Sequence, residues 1–312
     1  MNALQRVATV IGYEWRKALA RKKFIALIVL VFAFQIIILI VFTHIFNNPQ
    51  DNYFQLERAI EQTKRLMWIV EVLAPQGFFT SLVAIMIVSG FMSEEPKKAK
   101  ANISEPITEI ERLTGRYLAG LSLLSFATAL TTMFGAILAV AFFSPQENLQ
   151  YIPHIYLAIV YSNLVFLSLA FMLSEIFRRT KLVIWSAVGV VVASLTIGGF
   201  LYAAYRYTED LLYLEVSKWL PSWSVLNFPS FLMGKLLNWN YSNFPYMMGE
   251  WLDAPSVMFA GLEHEDLLLA SSIIATYTII FTTVFIVVAI IRLVRSSVKN
   301  GEDLTIRKVP NY

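Results

Sequence analysis

Residues 92–120 read MSEEPKKAKANISEPITEIERLTGRYLAG, and a long apolar segment lies on either side of them. Glu94, Glu95, Lys97, Lys98 and Lys100 follow directly on the first apolar run. Ser104-Glu105-Pro106 then opens a short helix over 107–113, because Pro pre-sets φ and its missing N–H costs nothing in a first helical turn. The next apolar run begins near Tyr117. The spacing predicts two membrane spans joined by a short charged helix standing off the bilayer. Such a loop is either an ordinary aqueous connection or a docking surface for a soluble partner.

The rest of the chain supports a membrane setting. Of 312 residues, 57% are hydrophobic and only 15% charged, with a mean hydropathy of +0.60. Soluble domains do not carry that balance, and an all-α polytopic membrane protein does. A net charge of +3 makes no case for nucleic acid. The absence of cysteine removes disulfides, thiolate metal sites and cysteine nucleophiles together. The first apolar run is too long for a cleavable signal, lacks a small-residue cleavage site and follows a basic segment.

In chain order, residues 1–23 form an amphipathic interfacial helix. Leu4, Val7, Ala8, Ile11, Trp15 and Leu19 share one face, and Arg21, Lys22 and Lys23 stop at the membrane edge. A hydrocarbon core about 30 Å thick takes about 20 helical residues. Spans are expected at about 24–43, 76–92, 117–143, 155–173, 182–205 and 267–291, with Gln35 the one polar residue of the first. The second is expected to be kinked at Pro75, with Glu71 shallow in the outer interface. If the termini, 93–116, 174–181 and 292–312 are cytosolic, those regions hold 19 of the 25 Lys+Arg but only 9 of the 22 Asp+Glu. Short basic loops stay inside, so a multi-pass protein of the cytoplasmic (plasma) membrane with both termini cytosolic is expected.

The outer segment 206–265 is rich in aromatics, among them Trp219, Trp223, Trp239 and Trp251, and is broken by Pro221, Pro229, Pro245 and Pro255. Tryptophan and tyrosine concentrate at membrane interfaces because the ring is apolar and its tip polar. Residues 225–237 are apolar enough to dip back into the membrane as a re-entrant helix, provided protein or water satisfies the broken ends. Asn240-Tyr241-Ser242 is a glycosylation sequon.

Catalytic motifs are missing. No G-x-x-x-x-G-K-[ST] occurs, so no Walker-type nucleotide site is expected in this chain. H-E-x-x-H and G-x-S-x-G are absent too. His44, His154 and His264 lack metal-ligand spacing, and no cofactor is expected in the chain itself. The clear span centres hold no ionisable residue, which argues against a proton-coupled transporter. They do hold hydroxyls. Ser122, Ser125, Thr128 and Thr132 form a helical stripe, and Thr276 lies in the last span. Such residues either line a path for amphipathic cargo or bond their own and neighbouring helices. Gly135/Ala139 and Gly189/Ala193 are small-xxx-small pairs that permit close helix approach.

The loop also resembles that of permease subunits of ABC type 2 transporters. There an acidic residue, a short linker and a Pro-led helix ending in Gly-Lys commonly precede the third span. Here Glu94-Glu95, Glu105-Pro106-Ile107-Thr108-Glu109-Ile110 and Gly115-Arg116-Tyr117-Leu118 stand in that order. The usual Gly-Thr after the acidic residue is missing, and Glu109 stands where a basic residue is frequent. With the span layout, the resemblance covers nearly the whole chain. It implies an ATP-driven exporter subunit that works as a dimer with an identical or homologous permease. Two copies of a separate ATP-binding subunit would bind the ATP and Mg²⁺. It further implies an N-terminal helix and a coupling helix that dock those subunits, with Glu105, Pro106, Ile107, Glu109, Ile110, Arg112 and Arg116 carrying the coupling. The aromatic outer segment resembles the family's outer re-entrant helices. Glu94 and Glu95 are placed to pair with cations of the N-terminal helix. The alternative is a non-transporting sensor, immunity or scaffold subunit that merely binds an ATPase. A stand-alone membrane enzyme is disfavoured by the missing motifs.

Overall fold

The computed structural model describes residues 2–47, 61, 64–92, 108–143, 145–177, 179–237 and 266–306, and among them every regular element is helical. The helices are α1 (Ala3–Leu19), α2 (Lys22–Asn47), α3 (Met67–Leu73), α4 (Ser81–Met92), α5 (Glu109–Phe142), α6 (Ile152–Phe177), α7 (Thr180–Thr208), α8 (Leu211–Lys218), α9 (Pro221–Leu236) and α10 (Asp266–Ile306). Five of these, α2, α5, α6, α7 and α10, are long and apolar enough to cross a membrane. A sixth crossing results if α3 and α4, bent by 40° at their break, count as one span. The chain is therefore built as a multi-pass helical membrane protein.

The core sits around α6. In its most apolar stretch 67% of residues are buried, against 22% for α2, α7 and α10. α10, α9, α4, α7 and α5 all pack on it. The peripheral helices expose Ile36, Ile37 and Ile40 on α2 and Trp185 and Phe200 on α7, as helices facing lipid do. Cross-links set the direction of neighbours. Tyr161 donates to the Ser271 carbonyl, Thr282 to Ser168, and Arg292 to Glu175, so α6 and α10 run parallel. Ser81 near Asn163 and Phe91 against Phe171 make α4 parallel to α6 as well. Fourth and sixth crossings that run the same way are what a six-span chain requires.

The break in the second span follows from Pro75. Proline has no N–H, so the carbonyl four residues back, that of Glu71, loses its helical donor. The chain widens into a π-turn over Gln76–Thr80 before α4 resumes. Gln35 supplies the lost bond: its Nε2 donates to the Glu71 carbonyl at 2.9 Å and to the Thr131 carbonyl at 3.0 Å. Glu71 itself is fully buried at this junction. It sits beside Gln35, which lies midway along α2, rather than in a shallow interface position as expected from sequence. At the far end of α3, Glu147 donates its backbone N–H to the Arg65 carbonyl, and Trp68 Nε1 donates to the Glu147 carbonyl at 2.8 Å. Asn148, with φ of 63°, closes that turn in the left-handed region that Asn tolerates.

The charged loop differs from the expectation where it is described: residues 109–113 are already part of the third span's helix rather than a separate one. Thr108 and Glu111 form a capping box, and from Glu109 the chain is one uninterrupted helix to Phe142. The helix runs unbroken through Gly115, which lies against α1. Residues 93–107 and 238–265 lie outside the described residues. They include Glu94, Glu95, Glu105, Pro106, Ile107, the Asn240 sequon and His264.

Candidate functional site

Charged and polar side chains gather where α1 lies along the first turns of α5. α1 begins with an Asn2–Gln5 capping box. It buries Val10, Glu14 and Ala18, spaced four apart on one face. The face expected to be apolar is turned differently: Leu4 and Leu19 are exposed, while Ile11 and Trp15 are half-buried. Between them the two faces let α1 pack on the bundle and still present leucines outward.

Four contacts tie α1 to α5. Arg6 donates from Nε and Nη2 to Glu111 Oε1 at 3.0 and 2.8 Å. Glu111 also accepts the Thr108 N–H, so one carboxylate caps α5 and holds α1. Arg116 Nε donates to Glu14 Oε1 at 3.1 Å, and Glu14 is only 2% exposed. Trp15 Nε1 donates to Ser122 Oγ at 2.7 Å. Gly115 lets the helices touch, since a Cβ there would stand 2.7 Å from the Val10 Cβ.

α1 also reaches α4. Lys17 Nζ donates to the Phe91 carbonyl at 3.3 Å, a favourable place for a cation at a helix C-terminus. The Arg21 guanidinium lies over Gly90, where any Cβ would overlap it. Thus α1 grips the end of α4 and the start of α5, the two ends of segment 93–107.

The sequence-derived coupling residues divide here. Ile110 points outward and is 69% exposed. Glu109 and Arg112 pair with each other on the helix surface. Arg116 is turned inward onto Glu14. Arg6 of α1 uses Glu111, a residue that was not singled out from the sequence. A Thr-x-x-Glu at 108–111 is a capping signature that would have found it.

The hydroxyl stripe has several fates. Ser122 is taken by Trp15 and donates to the Ala119 carbonyl. Ser125 is half-buried. Thr128 and Thr132 are each 2% exposed, and neither hydroxyl has a hydrogen-bond partner. Thr276 faces outward on α10 and donates to the Ser272 carbonyl. In the central helix, Ser162 and Asn163 both bond the Ile159 carbonyl of their own helix. Among the described residues no group of three His, Asp or Glu side chains converges as a metal centre.

Gly115→Leu is expected to pry α1 from α5 at a cost of about 1–3 kcal/mol, since a Cβ there would meet the Val10 side chain at 2.7 Å and the Val7 backbone carbonyl at 3.3 Å. The check is faster tryptic cleavage within α1, at Arg16 or Lys17, in the otherwise folded protein.

Comparison of the chain with protein-family models, with curated proteins and with solved structures finds no match.

Proposed function

We propose that this chain is the membrane-spanning permease subunit of an ATP-driven exporter of the ABC type 2 class. It would work with a separate ATP-binding subunit that docks on the charged end of the bundle. The observation that carries the reading is the grip of α1 on both ends of segment 93–107, through Lys17 to Phe91 and through Arg6 and Glu14 to α5. A push on that segment moves α1, α4 and α5 together, and α5 is one rigid helix from the charged end across the bundle. This is the mechanical property a coupling segment needs. In that reading the charged end is cytosolic, where the Lys/Arg bias of the sequence also points. Ile110, apolar and exposed in the first turn of α5, is the contact offered to the partner.

The dimer partner would seat on α7. Gly189 has nothing within 4 Å of where its Cβ would be, and Ala193 is exposed one turn on. Small residues spaced by four let two helices approach closely in lipid. α9 would be the outer re-entrant helix. It starts with Pro221 at its first turn, contains Pro229, and buries Ser222, Ser224, Asn227 and Ser230 against the bundle rather than facing lipid with them.

The test is a pull-down of the tagged full chain from native membranes, beside an Ile110→Asp form. An ATP-binding subunit recovered with the native chain and lost with Ile110→Asp supports the reading, and its absence from both overturns it. If the subunit is recovered but its ATP hydrolysis never responds to any offered cargo, the chain is a scaffold rather than a permease.

A further inference from the structure

Glu71 is the least expected residue of the fold. Its carboxyl is fully buried, and neither oxygen has a hydrogen-bond partner. Other buried oxygens on the helices that α3 packs against are equally unpartnered, among them Gln35 Oε1 on α2 and the Thr128 and Thr132 hydroxyls on α5. Gln35 and Glu71 meet at one junction against α5. Gln35 bonds the Glu71 and Thr131 carbonyls, and a Cβ on Gly135 would stand 2.7 Å from Gln35 Nε2 and 3.1 Å from the Glu71 carbonyl. Thr132 and Thr128 lie one and two turns before Gly135 on that side of α5.

Both Gln35 N–H bonds go to backbone carbonyls, so its amide orientation is determined by the Pro75 break and its oxygen is left over. An anionic carboxylate in such a place costs several kcal/mol unless something neutralises it. No protein cation does so among the described residues. The charged and titratable groups of the neighbouring helices sit near helix ends or on other faces. On α2 these are Lys22, Lys23 and His44, the last nine residues or about 13 Å along from Gln35. On α5 none lies beyond Tyr117, about 20 Å before Thr131. α6 has His154, Tyr156, Tyr161 and Glu175, and α9 has Lys235. On the approach to α3 itself, Lys64 lies seven residues before Glu71, and Arg65 is paired with Glu61 and Glu147.

We propose that this junction is a monovalent-cation site in the membrane interior, in which a proton or Na⁺ is held by the Glu71 carboxylate with Gln35 Oε1 and the Thr128 and Thr132 hydroxyls as neutral oxygen donors. The donor set is oxygen only, which suits hard cations. One carboxylate balances one positive charge, whereas a divalent ion would leave an uncompensated charge in an apolar setting. The site adjoins the Pro75 break, where the second span bends and the π-turn begins, so occupancy bears on the angle between α3 and α4. This inference stands apart from the exporter reading and does not depend on an ATP-binding partner.

The experiment follows the unfolding temperature of the full chain in lipid nanodiscs, at pH 6 and pH 9, in NaCl or in choline chloride at equal ionic strength. The native chain and Glu71→Gln are compared. If the site takes Na⁺, the native chain gains about 4 °C or more from Na⁺ at pH 9. If it takes only a proton, the native chain gains as much on going from pH 9 to pH 6 whether or not Na⁺ is present. In either case Glu71→Gln lacks that gain. A Glu71→Gln protein that responds as the native chain does, or a native chain that responds to neither, overturns the proposal. Should Glu71→Gln fail to fold, the native protein is treated with a hydrophobic carbodiimide, and modification of Glu71 is read by peptide mass spectrometry. Labelling that falls severalfold at pH 9 or in Na⁺ supports the site. Labelling equal in all four conditions, or absent from all, overturns it.

Discussion

Arg116→Met is expected to destabilise the protein by about 3–5 kcal/mol, because it strands the Glu14 carboxylate without its counter-charge in a place only 2% exposed. Methionine is nearly as long and apolar as the arginine stem, so most packing survives and the loss is electrostatic. Glu14 has little to fall back on. Its Oε2 has no hydrogen-bond partner, so the Arg116 bond to Oε1 is the principal compensation for burying the charge. The cost of the pair and the cost of breaking it are different quantities. Replacing both members, as Glu14→Gln with Arg116→Met, removes the stranded charge and is expected to be less destabilising than Arg116→Met alone by about 2 kcal/mol. Unfolding of the purified full chain, followed by tryptophan fluorescence, reads both variants. An Arg116→Met protein within 1 kcal/mol of the native chain would mean that α1 is held by Arg6 and Trp15 instead. The same variant separates a structural role from a docking one: if Arg116 served a partner, it would lose the partner and keep its stability.

The large divisions of this fold were open to reading because lipid makes them obligatory. An apolar run of about 20 residues has few alternatives to a helix in hydrocarbon. Residues 24–43 and 182–205 fall inside α2 and α7 for that reason. Helix ends were harder. α5 begins at Glu109 rather than near Tyr117, since a capping box overrides the change in composition at the membrane edge. Inter-helix chemistry was harder still. Glu111 and Glu14 look like ordinary surface acids in sequence, and only the approach of α1 to α5 turns them into anchors. The Glu71 junction had a faint signal: Gln35 is the one polar residue in a long apolar run, and Pro75 stands four residues after Glu71. Neither observation says that the two meet, because that depends on how α2, α3 and α5 pack.

Gly135→Val is expected to cost about 3 kcal/mol, the upper end of what overpacking a close-packed interior costs. A Cβ at Gly135 would come within 2.7 Å of Gln35 Nε2 and 3.1 Å of both the carbonyl carbon and oxygen of Glu71. The side-chain contact alone could be relieved by a rotamer change, whereas the backbone contacts are relieved only if the Glu71 carbonyl gives way by a few tenths of an ångström. α3 would have to move away from α5, and α3 is pinned at its other end by Trp68 to the turn at Glu147. Moving it also breaks the two Gln35 bonds that replace what Pro75 removed, which leaves the Glu71 carbonyl unsatisfied in an apolar setting. Helix propensity works the other way, since Gly→Ala in a helix is worth about 1 kcal/mol in its favour. Even Gly135→Ala is therefore expected to lose stability, because its methyl meets the same atoms. Gly189 is the internal control. It heads the same kind of small-xxx-small pair, but its Cβ position has nothing within 4 Å. Gly189→Val should leave the stability of the single chain unchanged or slightly raised, and in a dimer joined through α7 it should weaken the association instead. Equal effects of valine at 135 and 189 would show that the close approach of α3 to α5 does not hold this end of the bundle together. A large loss at 135 with none at 189 would place the tight contact at the Gln35–Glu71 junction and leave the α7 face open for a second copy.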